Sequence, residues 1–288
     1  MKKPSQATIM NLLTFGYEVL KKSEIQTYIL DTQLLLQKVL KVDKLFILLN
    51  KETKVEEVEA EEFFKLLELR RKKMPIKYLL GYCEFMGLDF NVRPGVLIPR
   101  PDTEILVEKV IEIAKELNAE TICDVCSGSG AIGVSIAYFL GNAKVYCSDL
   151  SDIACEVTEE NAKKLLKAER LFVEKSDLLQ FALEKEMKFD IIVSNPPYIK
   201  EEIISTLMED VKNYEPHMAL SGGEDGLFFY RKITEQSQKL LKQGGILAYE
   251  IGHDQGETVK NILIQNNFKH INIFQDLAGH DRVVIGTK

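Results

Sequence analysis

The chain has 288 residues, 45% hydrophobic and 28% charged, the balance of an ordinary globular protein long enough to bury one large core or two smaller ones. Its net charge of −7 gives a field that would repel a polyanion, so no stable nucleic-acid binding is expected. No apolar run approaches the roughly 18 residues of a membrane span, and the opening Met1-Lys2-Lys3-Pro4-Ser5-Gln6 leads into no long apolar stretch, so neither a membrane nor a signal peptide is expected.

Up to about residue 75 the chain reads as helices. Ile9, Leu12, Leu13 and Leu20 recur at helical spacing, as do Leu35, Leu36, Val39 and Leu40. Asp43 can cap a short helix through Leu49. A longer charged helix runs from about Val55 to Lys73, with Pro75 ending it. From Tyr82 to Val92 the period becomes two, with a turn at Met86-Gly87, which predicts a β-hairpin with Phe85 and Phe90 in the core. Three prolines then hold residues 94–101 extended, with Arg100 available to an acidic group. Asp102 or Thr103 is placed to cap the helix that carries Ile105, Leu106, Val110 and Ile111.

From Thr121 onward, strands and helices alternate. Strands are predicted at 121–125, 144–147, 171–174, 189–193, 245–251, 270–274 and 282–286. Helices are predicted at 131–140, 153–167, 227–241 and 255–266. Repeated βα units require a mostly parallel, doubly wound sheet, and the last strand, with no helix before it, should run antiparallel.

Two motifs carry chemistry. Gly128-x-Gly130-x-x-Gly133 lies after a strand and before a helix, where glycines let a ligand approach backbone N–H groups. Asp149 follows 19 residues after Gly130 at the end of the next strand, placed to accept hydrogen bonds from a ribose. This much fits either a nicotinamide cofactor or S-adenosylmethionine.

Asn195-Pro196-Pro197-Tyr198 ends another strand, because proline donates no ladder hydrogen bond. The Asn195 side chain and the Pro196 carbonyl offer two acceptors to an –NH2 group, with Tyr198 to flank a planar one. Gripping an –NH2 group serves N-methylation and does nothing for hydride transfer. Adenine or guanine in nucleic acid remains an alternative substrate, and a non-catalytic adaptor an alternative role. The Gly222–Gly226 run reads as a loop or as a wall of the cleft. Glu250 reads as a surface acid.

The five cysteines are an odd number without framework spacing, which predicts reduced thiols and a cytoplasmic protein. Cys123-x-x-Cys126 has no second pair at ligand spacing and the four histidines are scattered, so no metal site is expected.

Four stretches together resemble the PrmC/HemK family: Gly95-Val-Leu-Ile-Pro-Arg-Pro-Asp-Thr-Glu104, Asp124-Val-Cys-Ser-Gly-Ser-Gly-Ala-Ile132, Asn195-Pro-Pro-Tyr-Ile199 and Tyr214-Glu-Pro-His-Met-Ala-Leu220. These bacterial methyltransferases modify the side-chain amide of the glutamine in the Gly-Gly-Gln motif of class I peptide chain release factors. The resemblance implies a class I S-adenosylmethionine-dependent methyltransferase fold with a seven-stranded sheet. It divides the chain into a helical substrate-recognition domain (1–75), a β-hairpin connector (76–98) and a catalytic domain (99–288) that acts as a monomer.

By position, the resemblance implies that Cys126, Ser127, Gly128, Ser129, Gly130, Ala131, Asp149, Asp177, Leu178 and Asn195 bind S-adenosylmethionine. Asn195, Pro196 and Tyr198 would be catalytic. Asn195, Pro196, Pro197, Tyr198 and Arg100 would hold the release-factor substrate. The family often has glycine where this chain has Cys126; a Cβ and sulfur fit there if the backbone is at negative φ.

Overall fold

Helix starts in the first unit follow from short polar side chains that satisfy orphan N–H groups. The hydroxyl of Thr8 accepts from Asn11 N at the start of α1 (Ile9–Lys22), and Asp43 accepts from Phe46 N at 2.7 Å ahead of α3 (Lys44–Leu49), following α2 (Tyr28–Leu40). A capping box between Glu56 and Glu59 opens α4 (Glu57–Arg71). Pro75 does not end the helical region. It takes the cap position of a further short helix, α5 (Ile76–Leu80), which Gly81 closes at φ +86°. Ile9, Leu12, Leu20, Leu35, Leu36 and Phe63 are fully buried in one cluster, and Arg70 pairs with Asp31 at 2.7 Å beneath it.

The computed structural model describes residues 3–288. Met1 and Lys2, which open the N-terminal stretch read above as no signal peptide and the expected domain 1–75, lie outside the described residues. The chain separates into two compact units. The first runs to Tyr82 and includes Met208–Tyr214; the second holds Cys83–Leu207 and Glu215–Lys288.

The second unit starts within β1 (Tyr82–Phe85), at Cys83, and β1 is joined to β2 (Leu88–Asn91) through Met86 and Gly87 at φ +53° and +70°. Both turn residues at positive φ are what a two-residue hairpin demands. Phe85 and Phe90 are buried edge to face, core residues as expected. A single 3-10 turn, Pro101–Thr103, leads into α6 (Glu104–Leu117), and neither Asp102 nor Thr103 caps that helix with its side chain. Thr103 is used elsewhere.

The βα series then runs β3 (Thr121–Val125), α7 (Ala131–Leu140), β4 (Lys144–Asp149), α8 (Asp152–Leu165), β5 (Leu171–Lys175), α9 (Gln180–Glu184), β6 (Phe189–Ser194) and α10 (Glu201–Ile204). After α11 (Glu209–Tyr214), which belongs to the first unit, come α12 (Phe228–Leu240), β7 (Leu241–Glu250), α13 (Gly256–Gln265), β8 (Lys269–Gln275) and β9 (Asp281–Thr287).

The seven strands lie in the order β5-β4-β3-β6-β7-β9-β8. All neighbours up to β7 pair in parallel, and β9 runs antiparallel to both its neighbours. The period of two sorts side chains onto two faces. Ile122, Ile191, Val193, Ile246 and Ala248 meet α6 and α7, while Cys123, Ile192, Leu247 and Tyr249 meet α12 and α13. The result is the doubly wound α/β sheet that the sequence predicts. Strand order reverses between β3 and β6, and such a switch point leaves a crevice at the C-terminal strand ends.

Candidate active site

Val125 and Ser194 are register partners in the parallel pair β3–β6, and the Ser194 hydroxyl donates to the Val125 carbonyl at 2.6 Å. The next residue of each strand, Cys126 and Asn195, therefore leaves the sheet beside the other. Both line one cavity of about 250 Å³. The glycine loop after β3, Asp149 after β4, Asp177 and Leu178 after β5, and Asn195 and Pro197 after β6 all reach it. The two motifs that the sequence separates by about seventy residues share one crevice.

The three loop glycines differ in their reasons. Gly128 stands at φ +57° with open space where a Cβ would be, on the cavity wall. Gly130, at φ +77°, caps α7; a Cβ there would stand 2.8 Å from Thr158 Cγ2, and the residue does not line the cavity. Gly133 permits close packing of α7 on β4, and its N–H donates to Asp124 Oδ2 at 2.9 Å. Cys126 sits at φ +62°, so the condition of a negative φ for its side chain to fit does not hold. A left-handed backbone is one that glycine adopts without the cost a side chain brings. Burial pushes its thiol well above the usual range, so it stays neutral.

Asp149 accepts from Gly128 N on Oδ2 and from Ser151 N on Oδ1, each at 2.9 Å. Burial raises its pKa, against the pull of these backbone bonds. A carboxylate oxygen takes more than one donor, so both remain able to accept a hydroxyl. The buried hydroxyls of Ser127 and Ser148 line the same cavity with no partner among the described residues.

On the other side, Asn195 Nδ2 donates to Thr103 Oγ1 at 3.4 Å. Pro197 and Arg100 line the cavity, whereas Pro196 and Tyr198 do not. Tyr198 is half-buried and turns its phenol to Glu250 Oε1 at 3.4 Å, so the expectation of a crevice-exposed ring is corrected. Burial first, then the charge of Glu250, raises the phenol's pKa.

Glu250 is not a surface acid. It is 2% exposed, and burial lifts its pKa to about 7 against the Thr103 hydroxyl and the charge of Arg282. The signal was present in the sequence: residues 246–249 are apolar on both faces, so a carboxylate ending that run lies inside the sheet.

Arg100 is already matched within the chain. It pairs with Glu215 Oε1 at 2.6 Å, and the glutamate side chain is nearly fully buried. The Gly222–Gly226 run is a backing for the Asn195 turn. A Cβ on Gly222 would stand 2.7 Å from Tyr198 Cα, and Gln255 Nε2 joins the Tyr198 and Gly226 carbonyls at 3.1 and 3.3 Å. Sequence reasoning gave no role to Gln255, Ser148 or Phe229, of which the last two line the cavity.

A family profile described as PrmC N-terminal domain matches residues 11–81, and one described as Methyltransferase small domain matches residues 100–214. The chain is 54% identical over 280 residues to a release factor glutamine methyltransferase of Clostridium botulinum, covering 97% of this chain and 99% of the relative. The chain belongs to the release factor glutamine methyltransferase family. A relative of the same name from Clostridium acetobutylicum is 50% identical over 97% of this chain and 98% of its own length. A solved methyltransferase from Pyrococcus furiosus aligns with TM-score 0.52 at 19% identity over 71% of this chain and 90% of that one, which supports the fold alone. As a member of the family, this chain is a methyltransferase. Among the described residues no helix is long and apolar enough to cross a membrane.

Proposed function

We propose that this enzyme methylates the side-chain amide nitrogen of the glutamine in the Gly-Gly-Gln motif of class I peptide chain release factors, with S-adenosylmethionine as cofactor. The single observation that carries the reading is the shared cavity at the paired ends of β3 and β6, with Cys126 and Asn195 side by side.

The residues present fit the cofactor. Asp149 keeps acceptor capacity for two ribose hydroxyls, Gly128 leaves its flank open, and the Ser127 and Ser148 hydroxyls are buried there without partners. Cys126, Ser129, Ala131, Asp177 and Leu178 complete the lining, and Gly130 shapes the loop from behind. When bound, S-adenosylmethionine supplies a methyl group activated on a sulfonium, so the chain needs no covalent nucleophile.

The chain's own task is the amide. Its nitrogen is a poor nucleophile because the lone pair is delocalised into the carbonyl. Asn195 Oδ1 accepts one N–H, which orients the nitrogen and draws density onto it; the Pro196 carbonyl, outside the cavity lining, would take the other only from a substrate that reaches past that lining. Pro197 lines the cavity, and Tyr198 holds the turn through Glu250. Water takes the leaving proton. Arg100, matched by Glu215, keeps that wall of the cleft in place for the substrate.

Residues 1–75 recognise the release factor, 76–98 connect, and 99–288 catalyse, in a cytoplasmic monomer without stable nucleic-acid contacts. The test incubates the enzyme with labelled methyl donor and either a release factor or its Gln→Ala variant in the Gly-Gly-Gln loop. Label on the first and none on the second is expected; equal labelling overturns the substrate.

A further inference from the structure

Among the described residues, the carbonyls of Gly128 and Ser129 take no backbone donor, so their bonds must come from side chains. Two fully buried residues of α8 supply them. Thr158 Oγ1 donates to Gly128 O at 3.3 Å, and Asn161 Nδ2 donates to Ser129 O at 2.9 Å. The two stand three residues apart, on one face of the helix. The Asn161 amide also reaches the end of β2. Its Nδ2 donates to Asn91 O at 3.0 Å, and its Oδ1 accepts from Asn91 N at 2.7 Å. Turning this amide over would set its oxygen against two carbonyls, so only one orientation satisfies the three bonds.

An apolar side chain would fill either position without the cost of burying a polar group. What the polar choice gains is control of the loop's peptide planes. A trans peptide sets its C=O and N–H on opposite edges, so fixing one fixes the other. With Gly128 O turned to α8, Ser129 N–H points away from that helix. This N–H has no partner among the described residues, and Ser129 lines the cavity. The next peptide is held at both edges, its carbonyl by Asn161 and Gly130 N by Ser127 O at 2.8 Å.

We propose that Asn161 and Thr158 are positioning residues for cofactor binding. They hold two successive peptides of the glycine loop in the orientation that S-adenosylmethionine meets, and Asn161 ties that loop to the β-hairpin. Neither residue lines the cavity, so both act through the loop. A loop ordered in advance costs less to order on binding. The assignment rests on the placement of S-adenosylmethionine at this loop, given above.

Other ties between hairpin and α8 leave the loop untouched. Arg93 pairs with Glu160 and Glu156 at 2.8 and 2.9 Å, and Lys164 Nζ donates to Asn91 Oδ1 at 2.9 Å. They allow a role in the loop to be told from a role in packing the hairpin.

The experiment compares wild type with Asn161→Ser, Thr158→Val, Thr158→Ser and Lys164→Ala. It measures S-adenosylhomocysteine affinity by calorimetry, the KM for S-adenosylmethionine and kcat with a release factor, and the urea midpoint. Asn161→Ser is expected to weaken S-adenosylhomocysteine binding on the order of 10-fold, as for one or two lost hydrogen bonds. The KM for the cofactor should rise in step while kcat at saturation stays within about threefold, because the Asn195 turn is untouched. Thr158→Val should lose about threefold in affinity, as for a single such bond, and Thr158→Ser should restore it. Lys164→Ala should lower the urea midpoint slightly and leave the affinity within about twofold, as for an exposed contact that touches no ligand-binding group. Wild-type affinity in Asn161→Ser, an equal loss in Lys164→Ala, or a fall in kcat at unchanged KM overturns the assignment. If Asn161→Ser fails to fold, the Thr158 pair decides, and equal affinity in Thr158→Val and wild type overturns it. Wild type that binds no S-adenosylhomocysteine overturns the cofactor placement itself, whereas binding wild type with unaffected variants overturns this step alone.

Discussion

Gly226 lies against the carbonyl of Tyr198 so closely that a Cβ on the glycine would stand 2.5 Å from that oxygen. Gly226 also sits at φ +75°, a region that costs residues with a side chain. Gly226→Ala is therefore expected to lose about 1–3 kcal/mol of stability and, by shifting the turn it supports, to lower kcat as well. Urea unfolding and steady-state kinetics check this. An alanine variant with wild-type midpoint and turnover would show that the loop can yield.

Asn195→Ala removes the acceptor aimed at the substrate while leaving the glycine loop and Asp149 intact. Turnover should fall by at least on the order of 10²-fold, as for loss of one preorganised group at a reacting centre. S-adenosylhomocysteine affinity should stay within about tenfold, since the deleted contact belongs to the transition state more than to cofactor binding. A matching fall in both would make Asn195 a cofactor ligand first.

What the sequence could and could not disclose divides along physical lines. Alternation and turn chemistry are local, so β3 to β9, the hairpin and the glycine loop were all legible, as was the antiparallel last strand. Helices α5, α9, α10 and α11 were not, because four to six residues are too few to display a 3.6-residue period. At the site, Asn195 and Asp149 announce themselves by standing at strand ends. Thr103 does not, since its contact with Asn195 depends on where β6 ends and on a 3-10 turn in place of a side-chain cap. The positive φ of Cys126 was hidden for a simpler reason: composition signals left-handed backbone through glycine, and here the glycine is missing.

Asp149 holds the glycine loop to the end of β4 through Gly128 N and Ser151 N. Asp149→Ala should weaken S-adenosylhomocysteine binding by about 1–3 kcal/mol, the loss of hydrogen bonds to a charged group, or roughly 5- to 150-fold in affinity. Calorimetry measures it directly. Unchanged affinity would place the ribose elsewhere in the cavity.

Two buried carboxyls set the pH dependence of stability. Burial pushes Asp124 up to about 8, against the Gly133 N–H bond and with help from the Asp149 charge, and holds Glu250 at about 7. Both values exceed those of unfolded carboxyls, about 3.9 and 4.3. The folded state therefore keeps protons that the unfolded chain releases. The stabilisation is complete below pH about 4 and is lost as pH rises through the folded values, at up to about 1.4 kcal/mol per pH unit for each group. Asp276, held at about 2 first by Arg282 and then by the His280 N–H, acts in the opposite sense. Its contribution is present above pH about 4 and is lost only as pH falls toward 2, so it does not interfere in the neutral range. The urea midpoint should accordingly decline from pH 5 to pH 8. Asp124→Asn, which keeps an acceptor for Gly133 N but cannot ionise, should decline less steeply. A midpoint that rises over this range, or an equal slope in the variant, would mean that Asp124 is ionised inside the fold despite the missing partner of its Oδ1.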